Sequence, residues 1–410
     1  MDSKRQKPLQ TNCFPKKGTK CRVYAFYGIS FSSCTLAPGK KPLRYYRSPK
    51  LIRHVTYSLF LLIFFASGTV QAAPPKDGKW VPYQPCKVWV QIDNDAFIFD
   101  TDRGYTQGLE VHTTGCFGSD WAHGLTKWLF GAKKAKTLSS ALGVQLLGQH
   151  IYTTEDVFES RLISDDRPFA GWLHFGLSYL VESRTWGLRL TFQYGWTGAE
   201  ALAAPVQNNF HRLLRIFDGY TPDVEGWDNQ IPFEQQPQLS FAWYNDLFVM
   251  GKDLSAENIR HFELTLRGYG QLGFAMVNIA LGARLRVGQF LRHQQKLDAQ
   301  GQPLYKHGRG VAEEVAPSAR KKYIPFELYA FIDTKMTFAF HNIFVSGGMW
   351  TESHGVPIQN FVPQGEIGIS MRFGAFRFRF GGVFRGREGH YQNAPLGGHR
   401  FFRIQLGYEA

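Results

Sequence analysis

Asn94 and Asp95 stand just before the segment FDTDRG (99–104), and Thr106 follows it closely. Carboxylate, amide and hydroxyl oxygens collected in this way are the donors a hard divalent cation takes. A cation so held can polarise an ester carbonyl. Farther along, Gln207 and His211 are four residues apart and share one face of a helix read over PVQNNFHRLLRIF (205–217). A neutral imidazole can take a proton from water near pH 7, which makes His211 a candidate general base. Glu225, in the polar stretch GYTPDVEGWDNQ (219–230), adds a further oxygen donor, with Asp223 and Asp228 as rivals of the same chemistry. Arg103 and Arg167 could pair with phosphate through charge-assisted hydrogen bonds. Plainer readings stand beside these. An Asn-Asp pair before a turn often only makes the turn, a single His on an amphipathic helix is usually surface, and DDRPFAG reads equally as a loop restricted by Pro168. The chain has no GxSxG motif, so activated water is preferred to an acyl-enzyme.

These residues need strands to position them. KVWVQID (87–93) alternates polar and apolar residues, and YTQGLEVHTT (105–114) does so in the opposite phase. A period of two marks half-buried strands, here the arms of one hairpin. Counting along an antiparallel pair sets Asp95 and Thr106 roughly opposite each other on the polar face. The same alternation sends Asn94 and Asp95 to opposite faces. If both serve one site, the strand is irregular there.

Comparable segments recur at 143–152, 171–182, 185–196, 238–249, 262–272, 277–288, 325–336, 342–350, 366–373, 376–384 and 401–410, thirteen candidates in all. In FRFRF (376–380) the phenylalanines alternate with Arg377 and Arg379. In a soluble sandwich such apolar faces would pack a core. In an outer-membrane barrel they meet lipid while the charges line the lumen. The chain's 35 Phe, 18 Tyr and 10 Trp favour the barrel. The last segment holds Phe402, Ile404, Leu406 and Tyr408 on one face but does not end on an aromatic residue. The expected fold is all-β, a transmembrane antiparallel barrel of about 12 strands, because bacterial barrels carry an even count. One of the thirteen candidates therefore does not span. The helix opening at Pro205 is expected to fold over the barrel mouth, and residues 290–322 read as a long loop.

The amino-terminal region has a different character. HVTYSLFLLIFFASGTVQA (54–72) follows Lys50 and Arg53 and ends in a small-residue exit, the pattern of a secretory signal. Residues 1–49 are read as a leader or mis-called start, 50–72 as the signal peptide and 73–410 as the barrel domain. Of 47 basic and 33 acidic residues, 13 and 1 fall within 1–72, leaving 34 against 32 in the barrel domain. The basic charge belongs to the leader, so nucleic-acid binding is not expected. Cys86 and Cys116 sit at the open ends of the first two strands. An exported protein could pair them, although alternation places them on opposite faces.

In order, ND (94–95), TDRGYTQG (101–108), DRPFAGW (166–172), QNNFH (207–211) and EGWDNQ (225–230), with the later LYAF, NIFVSGG and RGREGHYQ, make the chain resemble the outer-membrane lipid A 3′-O-deacylases of the LpxR type. The resemblance spans roughly residues 88 to 408. It implies a twelve-stranded barrel in the outer membrane of a Gram-negative bacterium that removes the 3′-linked acyloxyacyl group of lipid A and needs Ca2+. It also implies that Asn94, Asp95, Thr106, His211 and Glu225 occupy the required positions. On this reading Asn94, Asp95 and Glu225 hold calcium, and Gln207, Arg103 and Arg167 contact substrate. The expected partners are lipopolysaccharide and outer-membrane lipid, with the protein a monomer. Members of the family can carry Lys-Arg before the proline of the third motif, whereas this chain has Asp166-Arg167. A substrate role for that lysine does not carry over. The competing readings are an outer-membrane phospholipase and a non-catalytic, porin-like barrel with an open, water-filled lumen.

Overall fold

In the computed structural model the described residues are 86–96, 103–183, 185–219, 221–254, 257–292, 326–391 and 398–409, with short strands at 20–26, 29–35, 79–82 and 294–297. The signal-peptide assignment, the turn at 97–102 and most of the long loop at 290–322 lie outside them. The chain divides into two units, residues 1–71 and 72–410. Within the first, Lys20–Phe26 and Ile29–Thr35 form an antiparallel hairpin.

The second unit is a closed antiparallel barrel of twelve strands. They are β1 (Lys87–Asn94), β2 (Gly104–Thr114), β3 (Ser139–Thr153), β4 (Ala170–Glu182), β5 (Trp186–Trp196) and β6 (Gln235–Leu254), then β7 (Glu257–Gly273), β8 (Met276–Arg292), β9 (Phe326–Asn342), β10 (Phe361–Phe373), β11 (Phe376–Arg385) and β12 (His399–Glu409). Each strand pairs with its neighbour in sequence, and β12 closes on β1 with Glu409 opposite Lys87. Both ends of the barrel segment thus lie at one rim, the periplasmic one in such barrels. The opposite, extracellular rim carries the connections 154–169, 197–234, 343–360 and 386–398.

The alternation read in the sequence sorts the faces. Leu177, Phe192, Ile367, Phe376 and Leu406 point outward and are exposed on the lipid-facing wall. Inward residues of the barrel include charged pairs that are buried or half-buried. Arg403 donates to Asp93 at 2.7 and 2.8 Å. Arg379 donates to Glu366 at 2.8 Å and to Asp333 at 3.1 Å. Arg284 also donates to Asp333, at 2.5 Å from its Nε. Ionised groups bridged in this way tie neighbouring staves together along the inner wall.

The surplus candidate among the thirteen is 342–350, which is no strand. Ile343–Ser346 form one helical turn capped by Asn342, whose side chain accepts from the Phe344 N–H at 3.0 Å. This turn drops into the extracellular mouth. There Phe344 stacks on Tyr152 with ring centroids 4.4 Å apart and packs beside Trp172 and Phe401. An apolar run can read as a strand by pattern and still be a plug, because periodicity over so few residues does not tell the two apart.

Two longer helices complete the unit: α1 (Ser119–Phe130), between β2 and β3 at the periplasmic rim, and α2 (Ala203–Asp218), between β5 and β6 at the extracellular rim. Cys86 and Cys116 are joined by a disulfide. Strand β2 ends at Thr114, and Gly115 takes a left-handed φ of 75°. The turn there frees Cys116 from the alternation that would hold the two thiols apart.

Candidate active site on the outer face of the barrel wall

Asp93 faces the lumen, bound to Arg403 and to the Tyr105 hydroxyl at 3.1 Å. The next residue, Asn94, therefore faces outward, as does Gln107 opposite it. The register of β2 against β3 slips between Tyr105 and Gln107. Thr106 is the extra residue of a β-bulge, a device that re-aims a side chain. Its hydroxyl meets that of Thr153 at 2.7 Å, on the same outward course of β3 as Ile151 and Gln149. Asp95 lies just past the end of β1. Its N–H donates to the Thr106 carbonyl at 3.2 Å, and its Oδ2 accepts from the Arg103 N–H at 3.0 Å. The Asn94 amide oxygen accepts from the Ala96 N–H at 3.0 Å.

Helix α2 lies against this same outer wall, not over the mouth as the sequence analysis expected. The mouth is filled by the Phe344 turn. Gly171 of β4 makes the docking possible, because a Cβ there would stand 2.5 Å from the Ala203 Cβ and 3.0 Å from that of Ala201. The Gln149 amide donates to the Ala201 carbonyl at 2.7 Å. Leu202, at φ 58°, has the one positive φ of a non-glycine among the described residues. Such a conformation costs about 1–3 kcal/mol and persists where surrounding contacts determine it. Ala203, Gln207 and His211, at successive fourth positions, form the buried face of the helix.

Asn94, Asp95, Thr106, Gln207 and His211 are each no more than 5 % exposed. The first three sit on the hairpin and the last two on α2, which packs on β3 and β4. Gln207 accepts from the Trp227 indole N–H at 3.0 Å. His211 Nδ1 lies 2.7 Å from the Pro222 carbonyl oxygen. A carbonyl can only accept, so Nδ1 carries the proton and Nε2 is the basic nitrogen.

The remaining candidates are placed differently. Glu225 is exposed, and its backbone N–H donates to the Val157 carbonyl at 3.1 Å. Its neighbour Asp223 is engaged by Arg215 at 2.9 Å. Arg103 is half-buried and ion-paired with Glu155. Arg167, expected at a substrate phosphate, is 1 % exposed. Its guanidinium donates to the Phe344 carbonyl at 2.8 and 3.1 Å and to Glu388 at 3.2 Å, and stacks over Tyr152. These contacts make it the bolt of the plug, joining the loop before β4 to the Phe344 turn and to Glu388. The adjoining cavity, lined by Arg103, Thr153, Asp166, Arg167 and His399, is about 20 Å³. That is room for about one water, not for a phosphate ester. Burial raises the Asp166 carboxyl above its usual range, against the opposing pull of the Arg167 N–H. Burial alone would raise Glu388 too, but Arg385, His399 and Arg167 hold it well below.

Among the described residues no three His, Cys, Asp or Glu side chains converge as a metal cluster. The Asn94–Asp95 pair has oxygens of the type calcium takes, but calcium commonly draws on six to eight donors, so water or substrate oxygens would have to complete the set. Thr153 and Gly171 escaped the sequence analysis. A threonine ending a strand in the outward phase was the available signal for the first, and nothing in one sequence marks the second.

A family model described as Outer membrane protein LpxR matches residues 58–409. The chain belongs to the LpxR family. Its fold is similar to that of LpxR from Salmonella typhimurium, at 16% identity and a TM-score of 0.56 over 79% of this chain and 100% of that one. At that identity the likeness concerns the fold. The β domain of the Bordetella autotransporter BrkA, at 9% identity, is far less similar, with a TM-score of 0.33 over 81% of this chain and 98% of that one. No curated protein matches the sequence significantly. An LpxR-family barrel of this kind resides in the outer membrane of a Gram-negative bacterium.

Proposed function

We propose that the protein is a lipid A 3′-O-deacylase, hydrolysing the ester that links the acyloxyacyl group to the sugar. The observation that carries this reading is the side of the wall on which the buried polar residues lie. Asn94, Thr106 and the inner face of α2 lie on the lipid-facing side of the wall at the extracellular rim, the side from which an outer-leaflet lipid would approach. In the proposed reaction His211 Nε2 takes a proton from water as the oxygen attacks the ester carbonyl. The proton then passes to the departing sugar oxygen, giving a free fatty acid and a 3′-hydroxyl. Gln207, one turn earlier on the same face, orients the water or the acyl carbonyl. Thr106, held by Thr153, fixes the wall side of the cleft. Calcium bound at Asn94 and Asp95 would polarise the carbonyl and offset the charge growing on its oxygen.

Mass spectrometry of lipid A from a host exporting residues 73–410 tests this. Loss of one acyloxyacyl mass with the wild type, and none with His211→Ala folded in the membrane, is the expected result. Unchanged lipid A alongside hydrolysed glycerophospholipid would replace the reading with that of a phospholipase.

A further inference from the structure

A second element lies on the outer wall, at the other rim. Tyr179 and Val181 of β4, Leu142 of β3 and Trp186 and Leu188 of β5 are in the outward phase that exposes Leu177 and Phe192 to lipid. Near the periplasmic rim they are covered instead, by Ala122 and Phe130 of α1 and by Leu138. The Thr126 hydroxyl, on the same side of the helix, meets that of Tyr179 at 2.6 Å. Helix α1 is thus clamped to the outside of the barrel.

Its other surfaces are sorted in a particular way. Trp121 and Trp128 are 81% and 79% exposed, the most exposed large apolar side chains among the described residues. With Leu125 and Leu129, both exposed, they form one stripe directly beside the wall-facing residues, at the i, i+4, i+7 and i+8 spacing of a single helix face. Asp120, His123 and Lys127 occupy the opposite side. Lys133, Lys134 and Lys136 follow at once and are exposed. Residues 117–138 hold four lysines and one aspartate, an excess of three, whereas residues 73–410 as a whole carry an excess of two. The net positive charge of the barrel domain is therefore concentrated on this one connection.

We infer that α1 and the lysines after it form a binding surface for anionic phospholipid in the inner leaflet. The apolar stripe continues the lipid-facing wall. Indoles prefer the boundary between acyl chains and headgroups, and lysines placed just beyond it meet lipid phosphates. Clamped to the wall at one side, the helix is held in the plane of that boundary with its polar side toward the periplasm.

The full chain refolded in vesicles of phosphatidylcholine, with and without phosphatidylglycerol, gives the test. Emission of the wild type is compared with that of Trp121→Phe/Trp128→Phe, so that the difference reports these two indoles alone. Quenching of the difference signal by acyl-brominated lipid, and little by aqueous iodide, is the expected result. In nanodiscs of mixed lipid, changing Lys127, Lys133, Lys134 and Lys136 to Gln should abolish enrichment of phosphatidylglycerol around the protein. Heat-modifiable gel mobility verifies that each variant is a folded barrel. A difference signal quenched by iodide but not by brominated lipid overturns the inference. So does one shielded from both, with Trp121 crosslinking to a second protein.

Discussion

Thr106 and Thr153 share a hydrogen bond of 2.7 Å between neighbouring strands, and it exists because Thr106 is a bulged residue. Without the extra residue, alternation would turn its side chain toward the lumen, away from Asn94 and from α2. Thr106→Val keeps the bulk and removes the hydroxyl. It should cost about 1 kcal/mol of stability, the usual worth of such a bond. Deacylation should fall far more than the folded fraction does, as measured on lipid A vesicles beside a gel-shift assay of folding.

His211→Gln should lower deacylation by roughly 10²–10⁴-fold, the range for loss of a general base. The acidic limb of the pH–rate profile of the wild type should be missing from whatever activity remains. A variant that kept that limb would move the base elsewhere.

Gly171→Val places methyl groups where Ala201 and Ala203 pack. The expected outcome is a folded barrel with α2 displaced and deacylation lost. The linker around 197–202 should become more sensitive to protease. Ala203→Gly in the same background should recover part of the activity by reopening the gap.

Removing calcium with a chelator should abolish deacylation reversibly. Asp95→Asn should weaken calcium binding and so raise the concentration needed for half-maximal activity. Glu225→Gln should raise it little, because that carboxylate lies on the exposed side of its loop.

Arg167→Ala should act on the plug and leave substrate affinity nearly unchanged. Removing one partner of a buried pair costs about 3–5 kcal/mol. The expected sign is a lowered unfolding temperature and faster proteolysis near residues 343–346, with KM unaltered. Glu388 adds a pH dependence of known direction. Its carboxyl is held below its ordinary value in the folded protein. The stability it contributes is therefore present in full above the ordinary carboxyl range and is lost as pH falls through that range toward the lowered value. Thermal unfolding of the wild type and Glu388→Gln should accordingly converge on acidification.

The strands were legible in the sequence because lipid outside and charge inside impose a strict period of two, and FRFRF (376–380) shows it undiluted. Asp95 facing Thr106 was legible for the same reason, since register follows from counting. The bulge was not, because one extra residue leaves no mark on composition. Helix α2 was legible from its amphipathic pattern, whereas its docking on the outer wall depends on a missing side chain at Gly171, two strands before it in the chain. The structural partners of Arg167 were not legible, because a basic residue in a loop carries no mark of what it will pair with. Only the fold brings the Phe344 carbonyl and Glu388 to it from far along the sequence.

The filled mouth and the externally mounted α2 have a kinetic corollary. If chemistry takes place on the wall's outer face, substrate arrives by diffusion within a leaflet, a search in two dimensions. Turnover should then follow the mole fraction of lipid A among neighbouring lipids, not its amount per volume of suspension. Diluting a suspension of vesicles with buffer should leave the rate per protein unchanged, while diluting lipid A with inert lipid or detergent inside the same bilayer or micelle should lower it in proportion.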